Sequence, residues 1–321
     1  MRPESPRDAE TVAEAGEFGL IRRVTNGRRQ PAWTLLGPGD DAAVVAAPDG
    51  RVVATTDVLV AGVHFRLDWS SPEHVGRKAA AANLADIAAM GAVPTALLVG
   101  FACPPDTPTS LIDGVSDGLW REAARAGAGV VGGDMVSCGQ LVISVTALGD
   151  MRGLAPVTRS GAAPGDVLAV CGRLGWAAAG LAVLGRGFRS PVAIVGAHQA
   201  PEPPYLAGPQ AAEAGATAML DVSDGLLADV GHIAEASGVA IDIRTDLLPM
   251  HQRLIDVGAA LGASPRHWML TGGEDHAFAA TFPEPADVPE EWTTIGTVRR
   301  GSGVTVDGRV YQETSGWEHW R

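Results

Sequence analysis

The chain has 321 residues, 46% of them hydrophobic and 5% aromatic, which is enough to build two domains or one large one without staples. With 24 basic against 37 acidic residues the net charge is −13, which argues against a general affinity for nucleic acid or an anionic membrane, so a phosphate ligand would need metal ions. Three widely spaced cysteines, Cys103, Cys138 and Cys171, lack Cys-x-x-Cys spacing; they suggest neither a disulfide frame nor a zinc site and make the cytosol the default compartment.

The first ten residues are polar, with no apolar signal-peptide core, and no window approaches 18 uninterrupted apolar residues, so a soluble protein is expected. Residues 1–15 read as a disordered leader, and a short amphipathic helix begins at Gly16-Glu17-Phe18-Gly19-Leu20-Ile21. From Gly37 to His64, two Val-rich runs flank a Pro48-Asp49-Gly50 turn and read as a hairpin or adjacent strands. Pairing across that turn would bring Asp40 and Asp41 to one sheet edge with Thr55, Thr56 and Asp57. Three crowded carboxylates repel one another unless a cation sits between them, and hard oxygen donors suit Mg²⁺ with a polyphosphate. A solvated turn is the plainer account of Asp40 and Asp41.

Ser71, Pro72 and Glu73 are a good helix start, and the helix should run from 75 to 90 and stop at Gly91. Asn83 and Asp86 share a face of this Ala-rich helix. An Asp in so apolar a setting is paired, on a metal or facing solvent, with Lys78 as a possible partner, and the helix does not choose between these. Residues 94–103 read as a strand and 111–126 as a second helix. Gly129 to Asp134 reads as a strand entering a glycine turn where Gly132 and Gly133 would admit a phosphate beside Asp134. With a further strand at 140–149, a first α+β domain closes near residue 150.

The second half restarts with a strand at 166–171 and an Ala-rich helix to about Leu184, and residues 186–209 read as a surface connection. Residues 218–222 form a strand leading into Ser223-Asp224-Gly225 and a helix with apolar residues at helical spacing. A plain N-cap explains Ser223 or Asp224 but not Asp221 as well. Gly272-Gly-Glu274-Asp275-His276 then precedes a strand at 277–282, and Trp317 and Trp320 lie in a short polar C-terminal segment. The chain has no Gly-x-x-x-x-Gly-Lys-Ser/Thr loop, nucleophile elbow or His-Glu-x-x-His motif.

The motifs Gly16-Glu-Phe-Gly-Leu-Ile, Gly39-Asp-Asp-Ala-Ala, Thr55-Thr-Asp-Val-Leu-Val-Ala-Gly-Val-His-Phe, Asn83-Leu-Ala-Asp-Ile-Ala-Ala-Met-Gly-Ala, Gly132-Gly-Asp, Thr158-Arg-Ser-Gly-Ala, Asp221-Val-Ser-Asp-Gly-Leu and Gly272-Gly-Glu-Asp stand in one order. In that order, from Gly16 to Trp320, the chain resembles the thiamine-monophosphate kinase family of the aminoimidazole ribonucleotide synthetase-like superfamily. The resemblance implies a two-domain α+β / α/β fold: an N-terminal domain with a four-stranded sheet and helices at 16–150, and a C-terminal α/β domain at 151–321. It also implies ATP-dependent phosphorylation of thiamine monophosphate, and a homodimer built on the N-terminal sheets. Carried over residue by residue, Asp41, Thr55, Thr56, Asp57, Asp86, Asp134, Asp221 and Asp224 look like the shell of several Mg²⁺ ions. Gly133, Asp134, Arg159 and Ser223 look like the ATP contacts, and His64, Glu274 and Trp317 like the thiamine-phosphate pocket. Asp57, Asp86, Asp134 and Arg159 would be the catalytic set.

An acceptor phosphate oxygen is already anionic, so the chemistry needs neither a strong base nor a protein nucleophile. The obstacle is repulsion between two anions, which metal ions and Arg159 would relieve during direct in-line transfer. Two places depart from the family pattern: Met135-Val-Ser-Cys138 stands where a Thr and a basic residue are often found, and His276-Ala277 replaces an aromatic residue and a Glu. The alternatives are another ATP-dependent synthetase of the same fold and a non-catalytic nucleotide and metal sensor.

Overall fold

A computed structural model describes residues 10–38, 42–283 and 288–311. The chain divides into two compact units, residues 1–83 with 94–149, and residues 84–93 with 150–321. Asp86 thus belongs to the second unit, because the end of its helix packs there. A Cβ on Gly208 would sit 1.9 Å from the Ala88 carbonyl oxygen and one on Gly91 2.7 Å from Ala212 Cβ, and the Val157 N–H donates to the Met90 carbonyl.

The first unit contains α1 (Val12–Ala15), α2 (Glu17–Thr25), β1 (Thr34–Leu36), β2 (Val44–Val45), β3 (Val53–Val60), most of α3 (Pro72–Ala89), β4 (Val93–Cys103), α4 (Thr109–Arg125), β5 (Gly129–Ser137) and β6 (Val142–Asp150). Residues 11–15, expected as part of a leader, carry α1, on which Thr11 and Glu14 form a reciprocal cap. Helix α3 starts as its sequence predicts, with Ser71 Oγ accepting from the His74 N–H and Gly91 following at φ +80°. It meets α4 closely because Gly76 and Gly118 admit the opposing backbone, while buried Glu122 takes Arg77 and Arg125 on its two oxygens at 3.0 and 2.8 Å.

The four-stranded sheet has the order β3-β6-β4-β5. Its inner face is apolar, with Leu59, Leu97, Ile143, Val145 and Ala147 buried, and the alternation leaves Val58 and Leu98 exposed on the other. The hairpin across Pro48-Asp49-Gly50 does not form: β2 pairs with β1, whereas β3 pairs with β6. Nor is Gly132-Gly133 a turn, for both lie within β5, parallel to β4 beyond a register shift at Leu97/Leu98. A Cβ on Gly133 would fall 2.1 Å from the Val99 carbonyl oxygen. Gly133→Ala is therefore expected to force β4 and β5 apart and to destabilise by about 3 kcal/mol in thermal or urea unfolding. Gly100→Ala, whose new methyl meets Ser144 Cβ at an ordinary 3.6 Å, is the near-neutral control.

The second unit has β7 (Val167–Cys171), α5 (Trp176–Gly185), α6 (Val192–Gln199), α7 (Ala207–Glu213), β8 (Ala218–Val222), α8 (Leu226–Ser237), β9 (Ala240–Ile243), α9 (Gln252–Leu261), α10 (Pro265–Thr271), β10 (Ala277–Phe282), β11 (Thr293–Arg299) and β12 (Gly303–Val306). Its sheet runs β12-β9-β11-β7-β10-β8, antiparallel except for β12 with β9. The stretch 186–209, expected as a surface connection, instead contains α6, whose Ile194, Val195 and Ala197 are buried, and α6 packs on α5. Among the described residues no helix is long and apolar enough to cross a membrane.

Candidate functional site

In the second unit, the end of β8 and the loop before β10 interlock. The Glu274 N–H donates to the Ser223 carbonyl at 2.7 Å and the His276 N–H to the Val222 carbonyl at 2.9 Å. A Cβ on Gly273 would meet the Ser223 carbonyl oxygen at 2.4 Å, so only glycine lets the loops close to this distance. Glu274 and His276 hold φ of +65° and +51°, a left-handed conformation uncommon outside glycine. Two consecutive motifs are thereby drawn into one acidic cluster.

Not every acid in that cluster is available to a ligand. Asp275 is buried, and its carboxylate accepts from the Gly175 and Ala177 N–H groups, capping α5 from a distant loop. Burial pushes its carboxyl up to about 7 against those hydrogen bonds. Asp229 plays the same part for α8: its Oδ2 accepts from the Asp224 and Gly225 N–H groups at 3.0 Å. The N-cap of α8 is Gly225, so neither Ser223 nor Asp224 caps the helix with its side chain. Burial first, and the Asp221 charge second, push Asp229 up to about 7.

Asp221, Asp224, Glu274 and Asp86 remain. Buried Asp221 places Oδ2 2.9 Å from His276 Nδ1. Burial works against charge on that ring, but the Asp221 hydrogen bond and the nearby charges of Asp86 and Glu274 outweigh it and raise the imidazole pKa. Half-buried Asp86 thus belongs electrostatically with Asp221. His198 of α6 puts Nδ1 3.3 Å from Glu274 Oε2. Arg159 is exposed, and Thr158 beside it is tied to Met219 at the start of β8, about 13 Å along an extended strand from Ser223.

In the first unit Thr55, Thr56 and Asp57 lie on β3, but the two-residue period separates them. Thr55 and Asp57 stand opposite Ala147 and Val145 on the inner face, whereas Thr56 faces the other way, its hydroxyl donating to the Val145 carbonyl and accepting from Thr146. Buried Asn83 accepts the Asp57 N–H at 2.9 Å and anchors this edge strand. Asp134 is exposed on β5, at the opposite edge of the same sheet, so the unit does not gather it with Asp57. His64 lies in the turn after β3, its Nδ1 accepting the Val60 N–H and its carbonyl accepting the buried Lys78 ammonium. Asp40, Asp41 and Trp317 lie outside the described residues.

Among the described residues no group of three or more His, Cys, Asp or Glu side chains is placed to hold a metal ion by itself. The donors are nevertheless all hard oxygens, and Mg²⁺ is commonly held by one or two carboxylates with waters and substrate phosphates. Crowding of Asp229 by Asp221 and Asp224 marks the excess negative charge that such a cation would offset. The residues therefore fit an open Mg²⁺-phosphate site.

Over 320 residues, 99% of this chain and 94% of the relative, the sequence is 54% identical to the thiamine-monophosphate kinase of Mycobacterium tuberculosis. The chain belongs to the thiamine-monophosphate kinase family. The family member of Corynebacterium glutamicum is 42% identical over 98% of this chain and 96% of its own. The AIR synthase related protein, N-terminal domain, family matches residues 39–151. Among solved structures, the thiamine-monophosphate kinase of Stenotrophomonas maltophilia superposes with a TM-score of 0.79 at 32% identity, covering 90% of this chain and 95% of its own. AaThiL complexed with AMPPCP and TMP gives 0.79 at 33% identity, covering 98% and 100%. The fold extends to the hydrogenase maturation protein HypE in complex with ATP, at a TM-score of 0.70 and 19% identity over 90% of this chain and 88% of that one.

The sequence alone pointed to Asp221, Ser223, Asp224 and Glu274 but not to His198 or to the capping roles of Asp229 and Asp275. A lone histidine in an eight-residue helix carries no spacing signal. Asp229, four residues after Gly225 in the apolar first turns of α8, was the one available hint.

Proposed function

We propose that the chain transfers the γ-phosphoryl group of ATP directly to the phosphate of thiamine monophosphate, yielding thiamine diphosphate and ADP. The observation that carries this reading is the full-length match to relatives named for that activity, and the interlocked acidic loops of the second unit support it. Asp41, Thr55, Thr56, Asp57, Asp86, Asp134, Asp221 and Asp224 would hold Mg²⁺, with Thr55 and Asp57 able to act together through their side chains and Thr56 on the other face. Bound Mg²⁺ supplies positive charge that screens two phosphate groups from each other.

The protein's own part is binding and orientation. Gly133, Asp134, Arg159 and Ser223 hold the triphosphate; His64, Glu274 and Trp317 hold the acceptor. No side chain needs to remove a proton, because the attacking phosphate oxygen is already anionic, and no phosphoenzyme forms. Trp317→Ala is expected to raise KM for thiamine monophosphate roughly tenfold with little change in kcat, since stacking contributes to ground-state binding; an unchanged KM would make Trp317 a packed terminal anchor.

The working form is a cytoplasmic homodimer. The open face of the four-stranded sheet, with Val58 and Leu98 exposed, and its two outer strands suit a second copy. Sedimentation at micromolar concentration should give a dimer, and a monomer would contradict this. The deciding assay combines protein, ATP, Mg²⁺ and thiamine monophosphate, with thiamine as control acceptor. Thiamine diphosphate and ADP formed from the monophosphate alone, and lost on chelation, support the reading. ATP binding without product would favour a sensor.

A further inference from the structure

The ring of His276, in the loop before β10, is engaged rather than merely packed. Its Nδ1 lies 2.9 Å from Asp221 Oδ2, and both residues are buried. A carboxylate only accepts, so Nδ1 must carry the hydrogen. Asp221 ends up with one oxygen held by the ring and the other left for a further partner. The backbone is set for this contact: the His276 N–H is tied to Val222, the residue after Asp221, at 2.9 Å, and φ of +51° turns the ring back over the strand. Phe278 and Asp221 stand opposite each other in the β10–β8 register, so the ring approaches from the loop end of the same pair of strands.

We infer that His276 is a positioning residue that fixes the Asp221 carboxylate in one orientation for cation binding, through a hydrogen bond that an aromatic hydrocarbon ring at this place could not make. The inference rests on the reading of Asp221 as a cation ligand. Outer hydrogen bonds of this kind typically change metal affinity 10- to 100-fold.

The test measures Mn²⁺ binding directly, by electron paramagnetic resonance, in the presence of the non-hydrolysable analogue AMPPCP. His276→Phe should weaken Mn²⁺ binding about tenfold. His276→Asn, whose side-chain amide can place an N–H near the same point and which tolerates positive φ, should restore most of it. Asp221→Asn is the reference. If Asp221→Asn binds Mn²⁺ like the wild type, the ligand reading fails. If Asp221→Asn loses binding while His276→Phe keeps it, the positioning role alone is overturned. Should His276→Phe fail to fold, ¹⁵N-histidine NMR of the unaltered protein decides: a hydrogen on Nδ1 is expected, and an Nδ1 without one would refute the contact.

Discussion

Asp86→Asn is expected to lower kcat on the order of 10²- to 10³-fold while leaving the fold intact. The residue sits half-buried near the end of α3 among Leu84, Ala85, Ile87 and Ala88, which are all fully buried. Its charge falls on the ring of His276, within the cluster of Asp221, Asp224 and Glu274. Asn keeps the size and removes the charge. Without Mg²⁺ the variant should melt no lower than the wild type, because a like charge has left the cluster. With Mg²⁺ and ATP the wild type should gain more in Tm than the variant, since a ligand stabilises in proportion to its affinity for the folded state. Steady-state turnover and melting curves with and without Mg²⁺ measure both. Near-normal turnover would remove Asp86 from the metal set.

Local signals were legible where the deciding physics is local. Ser71, Pro72 and Glu73 mark the start of α3 because capping involves only neighbouring residues, and Gly91 marks its end for the same reason. The turn at Pro48-Asp49-Gly50 is real, with Asp49 accepting the Arg51 N–H and Gly50 at φ +74°, yet it joins strands of different sheets. The partner of β3 is β6, some 90 residues on, and such pairing is set by burial of a common face rather than by the turn. The Gly132-Gly133 pair misled in a similar way. Glycine permits a turn but also permits close strands, and here the Val99 backbone occupies the space.

The candidate site was legible as chemistry and not as geometry. An Asp in sequence reads alike whether it meets a cation, as proposed for Asp221, or caps a helix, as Asp229 and Asp275 do. The distinction depends on which N–H groups lie across the loop, 98 residues away for Asp275 and Ala177. Likewise, Thr55-Thr56-Asp57 is continuous in sequence, but strand alternation sends Thr56 to the other face. Helix α6 was missed because Gly and Pro flank an eight-residue segment whose buried residues show no polar counter-face.

Asp275→Ala should be the most destabilising single change in the second unit's loops. Helix α5 begins at Gly175 with φ +78°, where a Cβ would come within 2.7 Å of the Met269 N–H nitrogen, so the helix start is pinned and cannot shift to find another partner. Removing the carboxyl group leaves the Gly175 and Ala177 N–H groups buried without their acceptor, at a cost of about 3 kcal/mol near pH 5 and roughly 10 °C in Tm. The pH dependence has a definite sign. Burial holds the folded-state pKa at about 7, above the ordinary carboxylate value of 3.8, so the native state keeps a proton that the unfolded chain releases. Wild-type stability from this group therefore falls as pH rises through that window, whereas Asp275→Ala has no such term. The gap between the two proteins should narrow by about 2 to 3 kcal/mol from pH 5 to 7. Urea unfolding in metal-free buffer at those two pH values measures it, and a gap that widens would mean that Asp275 is ionised in the folded protein, held by its N–H partners against the effect of burial.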